Sequence, residues 1–121
     1  MDDPARPLKN GGSDMEKKVE DELNMLKGII LNTVPVEQII LFGSYAEGTP
    51  HADSDLDIYV VMPDSADIRD IDAMQEISLA MVDRIEMPVD LVVSKRNNFS
   101  RRRAAPTIER HIAENGIVLY G

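Results

Sequence analysis

The 121-residue chain contains no cysteine. That removes disulfides, thiolate nucleophiles and cysteine-based metal sites in one step, and it fits a reducing cytoplasm. No apolar run approaches the roughly 18 residues that a membrane span needs. No basic-then-apolar N-terminal stretch of the secretory kind is present. A cytoplasmic location away from membranes is therefore expected. Positive charge is also scarce: 13 Lys and Arg stand against 22 Asp and Glu, a formal net charge of −9. A chain of that sign repels phosphate backbones, so direct binding of nucleic acid is not expected. Internal repeats and low-complexity tracts are lacking. What remains is 43% hydrophobic residues, enough for a core in a chain the length of one ordinary domain.

Residues 1–14 hold two prolines, two adjacent glycines and few large apolar groups. They bury too little to offset their ordering entropy and are read as a flexible tail before a single domain over residues 15–121. Val19, Leu23, Leu26, Ile29 and Ile30 recur at helical spacing, and Pro35 stops that helix by about Thr33. Val36 to Phe42 is a short branched run between Pro35 and Gly43, read as a strand. Gly43 to Ser54 is rich in Gly, Ser, Thr, Pro and Asp and reads as a long loop with a helical turn near its start. Leu56 to Met62 is a second strand. Ile68 to Ile85 carries a second helical stripe, and Met87 to Val93 is a third strand. Lys95 to Arg103 is loop or short helix. Pro106 suits the first turn of a last helix ending near Glu114, and Ile117 to Tyr120 adds a short final strand. The order predicts an α/β (α+β) fold, a small mixed sheet with flanking helices.

Two segments carry chemistry. In Ser54-Asp55-Leu56-Asp57-Ile58, the carboxylates of Asp55 and Asp57 share one strand face, while Leu56, Ile58 and Val60 point to the core. Paired carboxylates raise each other's pKa unless a cation sits between them, and a hard divalent ion such as Mg²⁺ answers with oxygen coordination. In a chain with 22 acids the same D-x-D is also what an ordinary solvated strand face shows. Gly43-Ser44 directly follows the first strand. A glycine there admits a ligand close to the backbone, and the amides of a helical turn starting at Ser44 favour phosphate oxygens. The alternative is a plain helix cap. Asp90 interrupts the apolar strand Val89-Asp90-Leu91-Val92-Val93. It is either a strand-edge acid or, if this strand neighbours the second, a third converging carboxylate. Tyr59 shares the acids' face by parity and is expected to border the site.

Together these features form one pattern: strand, Gly-Ser, the ten residues Tyr45 to Ser54, then D-x-D on a strand and a further strand with an embedded Asp. It resembles the DNA polymerase β-like nucleotidyltransferase superfamily. Phe42-Gly43-Ser44-Tyr45-Ala46-Glu47-Gly48 with Ser54-Asp55-Leu56-Asp57 is similar to its minimal nucleotidyltransferase branch. The resemblance spans about Val36 to Val93 and implies a polymerase β palm-like fold. It implies that Asp55, Asp57 and Asp90 are catalytic and ligate Mg²⁺, two ions in all. It implies that Gly43 and Ser44 hold the β- and γ-phosphates of ATP, and that a nucleoside monophosphate passes to a hydroxyl with release of pyrophosphate. Glu47 departs from the pattern, since many minimal members carry a basic residue there.

The size of the chain leads to the expectation that the acceptor is small or is brought by a partner. Minimal nucleotidyltransferases often resemble one half of a pair with a helical HEPN-type protein. The resemblance thus implies an antitoxin-like enzyme that adenylylates its partner. Two other readings stay open: a non-catalytic module that neutralises a HEPN-type partner by masking it, and transfer to a small molecule such as an antibiotic. Five of the 13 basic residues, Lys95, Arg96, Arg101, Arg102 and Arg103, fall within nine positions. They form either a patch for an anionic partner or a solvated helix end. His51 and His111 lack metal-ligand spacing and are read as surface or helix-packing residues.

Overall fold

The computed structural model describes residues 14–51 and 53–121. The expected tail over residues 1–14 lies outside them, except for Asp14, which opens the first helix. The elements run α1 (Asp14–Thr33), β1 (Gln38–Phe42), α2 (Ser44–Glu47), β2 (Leu56–Met62), α3 (Asp70–Met81), β3 (Val89–Lys95), α4 (Arg96–Arg103), α5 (Ile108–Asn115) and β4 (Ile117–Tyr120). The strands form one mixed sheet in the order β3-β2-β1-β4. β2 runs antiparallel to β1 and parallel to β3, and β4 is antiparallel to β1. The expected α/β fold with a small mixed sheet and flanking helices is what forms.

Helices cover both faces of the sheet. On one face, α1 contributes Val19, Leu23, Leu26 and Ile30, and α3 contributes Ala73 and Ile77. These pack on Ile39, Leu41, Leu56, Ile58, Val60, Leu91 and Val93. On the other face, Phe99 of α4 and Ile112 of α5 close over Ile40, Tyr59 and Val61. The near-continuous apolar run of β2 follows, since a strand buried on both faces needs no polar alternation.

The boundaries differ from expectation where proline and capping decide them. β3 begins at Val89 rather than Met87 because Pro88 has no amide to pair; its carbonyl instead accepts from the Leu56 amide at 2.9 Å. The last helix begins at Ile108, after Pro106, because Thr107 is the N-cap and its side chain accepts from the Arg110 amide. α3 stops at Met81, where the chain turns through Asp83 at φ 65°, a left-handed position that Asp tolerates. Glu22, charged yet buried, holds the turn before β3 by accepting from the amides of Glu86 and Met87 at 2.8 and 2.9 Å.

Candidate active site

The parallel register of β2 and β3 sets Asp57 directly beside Asp90. The embedded acid of the third strand is thus a neighbour of the D-x-D and not a remote edge charge. β1 ends against the same point: Phe42 is in register with Asp57, and Gly43 follows. Asp55 lies one residue before β2, exposed to solvent. Its position is fixed from both sides. Leu56 is tied to Pro88, and Ser54 closes a turn in which its amide donates to the His51 carbonyl and its hydroxyl accepts from the His51 amide, both at 2.9 Å. Sequence reading had no role for Ser54; its burial comes from that turn.

Electrostatics couple the three acids. Burial, then the charge of Asp90, then that of Asp55, push the Asp57 carboxyl above its ordinary value. Among the described residues, no lysine or arginine forms an ion pair with Asp55, Asp57 or Asp90. This negative cluster is therefore left uncompensated among the described residues. Among the described residues, no three or more acidic or histidine side chains are grouped so that they could hold a metal ion by themselves, so an ion here would need oxygens from water or substrate as well. That suits Mg²⁺, which keeps waters and is usually held by one or two carboxylates together with substrate phosphates. The donor set is all hard oxygen, so the residues present fit the ion.

Gly43 is required by space and by backbone. Its φ is 76°, and a Cβ there would lie 2.1 Å from Asp57 Oδ2. Glycine is what lets the loop pass over the carboxylate. Ser44 opens α2, whose Glu47 amide donates back to the Gly43 carbonyl at 3.0 Å. The first-turn amides before it have no partner within the helix. A cleft of about 370 Å³ lined by residues including Tyr45, Ser54, Met87 and Pro88 adjoins this loop. Tyr45 itself packs against the core under α1 and α3.

One expectation is corrected and another is extended. Tyr59 does share the face of Asp57, but it does not border the site. It is 1% exposed beneath α4 and α5, where its hydroxyl donates to Glu109 at 3.0 Å. Burial is the chief cause that pushes its phenol up to about 12. His111 does more than pack its helix: its Nε2 lies 2.8 Å from Glu47 Oε2, joining α5 to α2. Glu47, at the position where a basic residue was expected, is thereby paired. The spacing of 64 residues between them carries no local sequence signal.

Comparison with known proteins agrees with this fold. The family described as polymerase beta, nucleotidyltransferase matches residues 24–121. A protein of Shewanella oneidensis named protein adenylyltransferase MntA is 31% identical over 99 residues, covering 81% of this chain and 64% of that protein. The chain thus spans just under two thirds of that relative's length. A protein of Methanocaldococcus jannaschii, provisionally named a protein adenylyltransferase, is 29% identical over 105 residues, covering 87% of this chain and 97% of that one. A crystal structure of a toxin–antitoxin with AMP-PNP aligns with a TM-score of 0.57 at 29% identity, over 84% of this chain and 73% of the other.

Proposed function

The chain belongs to the polymerase β nucleotidyltransferase family, and from that premise we propose that residues 15–121 form a transferase that moves AMP from ATP to a hydroxyl on a partner protein. The observation that carries the reading is the register of Asp57 with Asp90 under Gly43. Two carboxylates in register, with Asp55 two residues before Asp57, stand beside a loop that only glycine allows at that distance. The two relatives named above carry the name protein adenylyltransferase, one of them provisionally, which supports a protein acceptor. The toxin–antitoxin neighbour supports a partner protein and an antitoxin-like role; that the partner is of the HEPN type rests on the sequence resemblance.

In this reading Asp55, Asp57 and Asp90 hold Mg²⁺. Bound there, the ion neutralises triphosphate charge and makes the acceptor hydroxyl easier to deprotonate. Gly43 and Ser44 hold the β- and γ-phosphates through backbone amides and the Ser44 hydroxyl. Asp90, exposed beside Asp57, takes the proton as the acceptor oxygen attacks the α-phosphorus. The P–O bond to the β-phosphate breaks and pyrophosphate leaves. Asp55, Asp57 and Asp90 are proposed as the residues that would hold up to two such ions.

The test is a titration with MgATP by calorimetry, with wild type and Asp55→Ala/Asp57→Ala compared, followed by transfer from α-labelled ATP to a co-expressed partner. Binding that needs both Mg²⁺ and the two aspartates is expected. Equal binding by the double variant would overturn the site. Neutralisation of the partner that survives the double substitution would move the reading to masking.

A further inference from the structure

The basic residues of the chain are concentrated in one stretch of the sequence. Six of the 13 lysines and arginines but only one of the 22 acids lie within residues 95–110, leaving seven basic residues against 21 acids elsewhere. Three of the six are neutralised: Lys95 by Asp70, Arg96 by Glu37 and Arg102 by Glu109. The other three are not. Arg101 donates to the neutral Asn98 side chain at 2.7 Å, and Arg110 to the Ala104 carbonyl at 3.3 Å. The Arg103 guanidinium sits over the Phe99 ring, 5.7 Å from its centroid. All three are exposed and, among the described residues, form no ion pair. A helix C-terminus offers about half a negative charge, which accounts for one arginine at the end of α4 and not for three residues on two helices.

These arginines lie on the helices that cover the sheet face shared by Asp57, toward the end of the strands away from it: Arg103 lines a cleft with Glu37, Gln38, Val61 and Gly121. Asp57, Tyr59 and Val61 share a face by strand parity. α4 and α5 cover that face through the Tyr59–Phe99 contact, with ring centroids 5.1 Å apart, and through the Tyr59–Glu109 hydrogen bond. α5 also reaches the loop of the site through His111 and Glu47. We propose that Arg101, Arg103 and Arg110 dock an acidic segment of the protein that receives the nucleotide. This rests on the transferase reading above and names the chemistry of its acceptor. An acidic protein segment fits better than RNA. Among the described residues, the exposed basic residues without an ion pair are these three and Arg84, and the acidic surface around them repels a long polyanion that would run across it.

The full-length chain can be titrated with a short glutamate-rich peptide carrying one tyrosine. The same peptide with glutamine for glutamate and a single-stranded RNA oligomer serve as comparisons. NMR follows the signals of α4 and α5, and MgATP binding is measured in parallel. The glutamate peptide should shift those signals, weaken with added salt and bind R101E/R103E/R110E at least about tenfold more weakly, with MgATP binding unchanged. If that variant does not fold, R101Q/R110Q removes charge without reversing it and should still lose about threefold. Equal binding by the variant or by the glutamine peptide, or tighter binding of RNA, would overturn the dock. MgATP binding without peptide docking sinks the dock alone. Peptide docking without MgATP binding sinks the transferase reading and leaves the dock standing.

Discussion

Replacing Asp57 with Asn should stabilise the chain in the absence of divalent ions. Asp57 and Asp90 are in register on neighbouring strands, which places their backbones about 4.8 Å apart. Two unit charges about 5 Å apart repel by about 1 kcal/mol at the dielectric of water and about 3 kcal/mol at an effective dielectric near 20. Asp90 is exposed and Asp57 partly so, so the lower figure applies. Asn keeps the shape and removes the charge. A gain of about 1 kcal/mol raises the melting midpoint of a domain of this size by roughly 3–6 °C. The effect has a pH signature. Folding lifts the Asp57 carboxyl above its ordinary 3.8 through burial, Asp90 and Asp55. A carboxyl raised by folding is a cost wherever it is ionised, and that cost fades as pH falls through the raised value toward the unfolded one. Wild type should melt below Asp57→Asn at neutral pH and meet it in that acid window. Mg²⁺ should then stabilise the wild type by mass action and leave the variant almost unmoved. Melts by circular dichroism with and without MgCl₂ measure all of this. A variant that melts lower than wild type at neutral pH, or that gains as much from Mg²⁺, would refute the reasoning.

Gly43→Ala forces a methyl to within 2.1 Å of Asp57 Oδ2 at a φ of 76°; it should cost about 1–3 kcal/mol in urea unfolding and weaken MgATP binding. Glu22→Ala leaves the amides of Glu86 and Met87 without their acceptor and should cost about 1–3 kcal/mol, measured the same way. Burial opposes ionisation of Glu109, but hydrogen bonds from Arg102, its own backbone and Tyr59 outweigh it and hold the carboxyl below 4.5. Its contribution is therefore complete above that value and lost as pH falls through the lowered one, and Glu109→Gln should flatten the acid limb of the stability curve. His111→Ala unties Glu47 from α5. An exposed pair is worth less than about 1 kcal/mol, so calorimetry should show at most about a fivefold loss of MgATP affinity.

Legibility followed locality. β2 was readable to the residue because its run is bounded by Ser54-Asp55 and Pro63, and the sheet pairs it along its whole length. The loop helix α2 and the pairing of Asp57 with Asp90 were foreseeable from Gly-Ser and from an acid embedded in an apolar strand. Where the sequence reading went astray, a distant partner decides. Parity placed Tyr59 on the acids' face correctly, but nothing near it announces that Phe99 and Glu109, at least 40 positions later, bury it. Nothing near Glu22 in the sequence signals its burial on α1, because its two amide donors lie 64 and 65 positions away. Glu47 stood out as a misplaced acid until His111 supplied its counterpart.

The position of the acids reconciles a charged site with so small a fold. β2 is buried on both faces from Ile58 to Met62, so a carboxylate further along that strand would meet one core or the other and require a partner inside it. Asp57 is the last position before both cores close, and Asp55 stands outside them. Asp90 takes the equivalent place on β3, where Leu91 begins the buried run. The site is thus a rim where the two layers of helix end and the strands still hold register. Rigidity comes from the sheet and charge tolerance from the solvent. The residual repulsion is small enough for the fold to carry, and large enough that binding a cation relieves it.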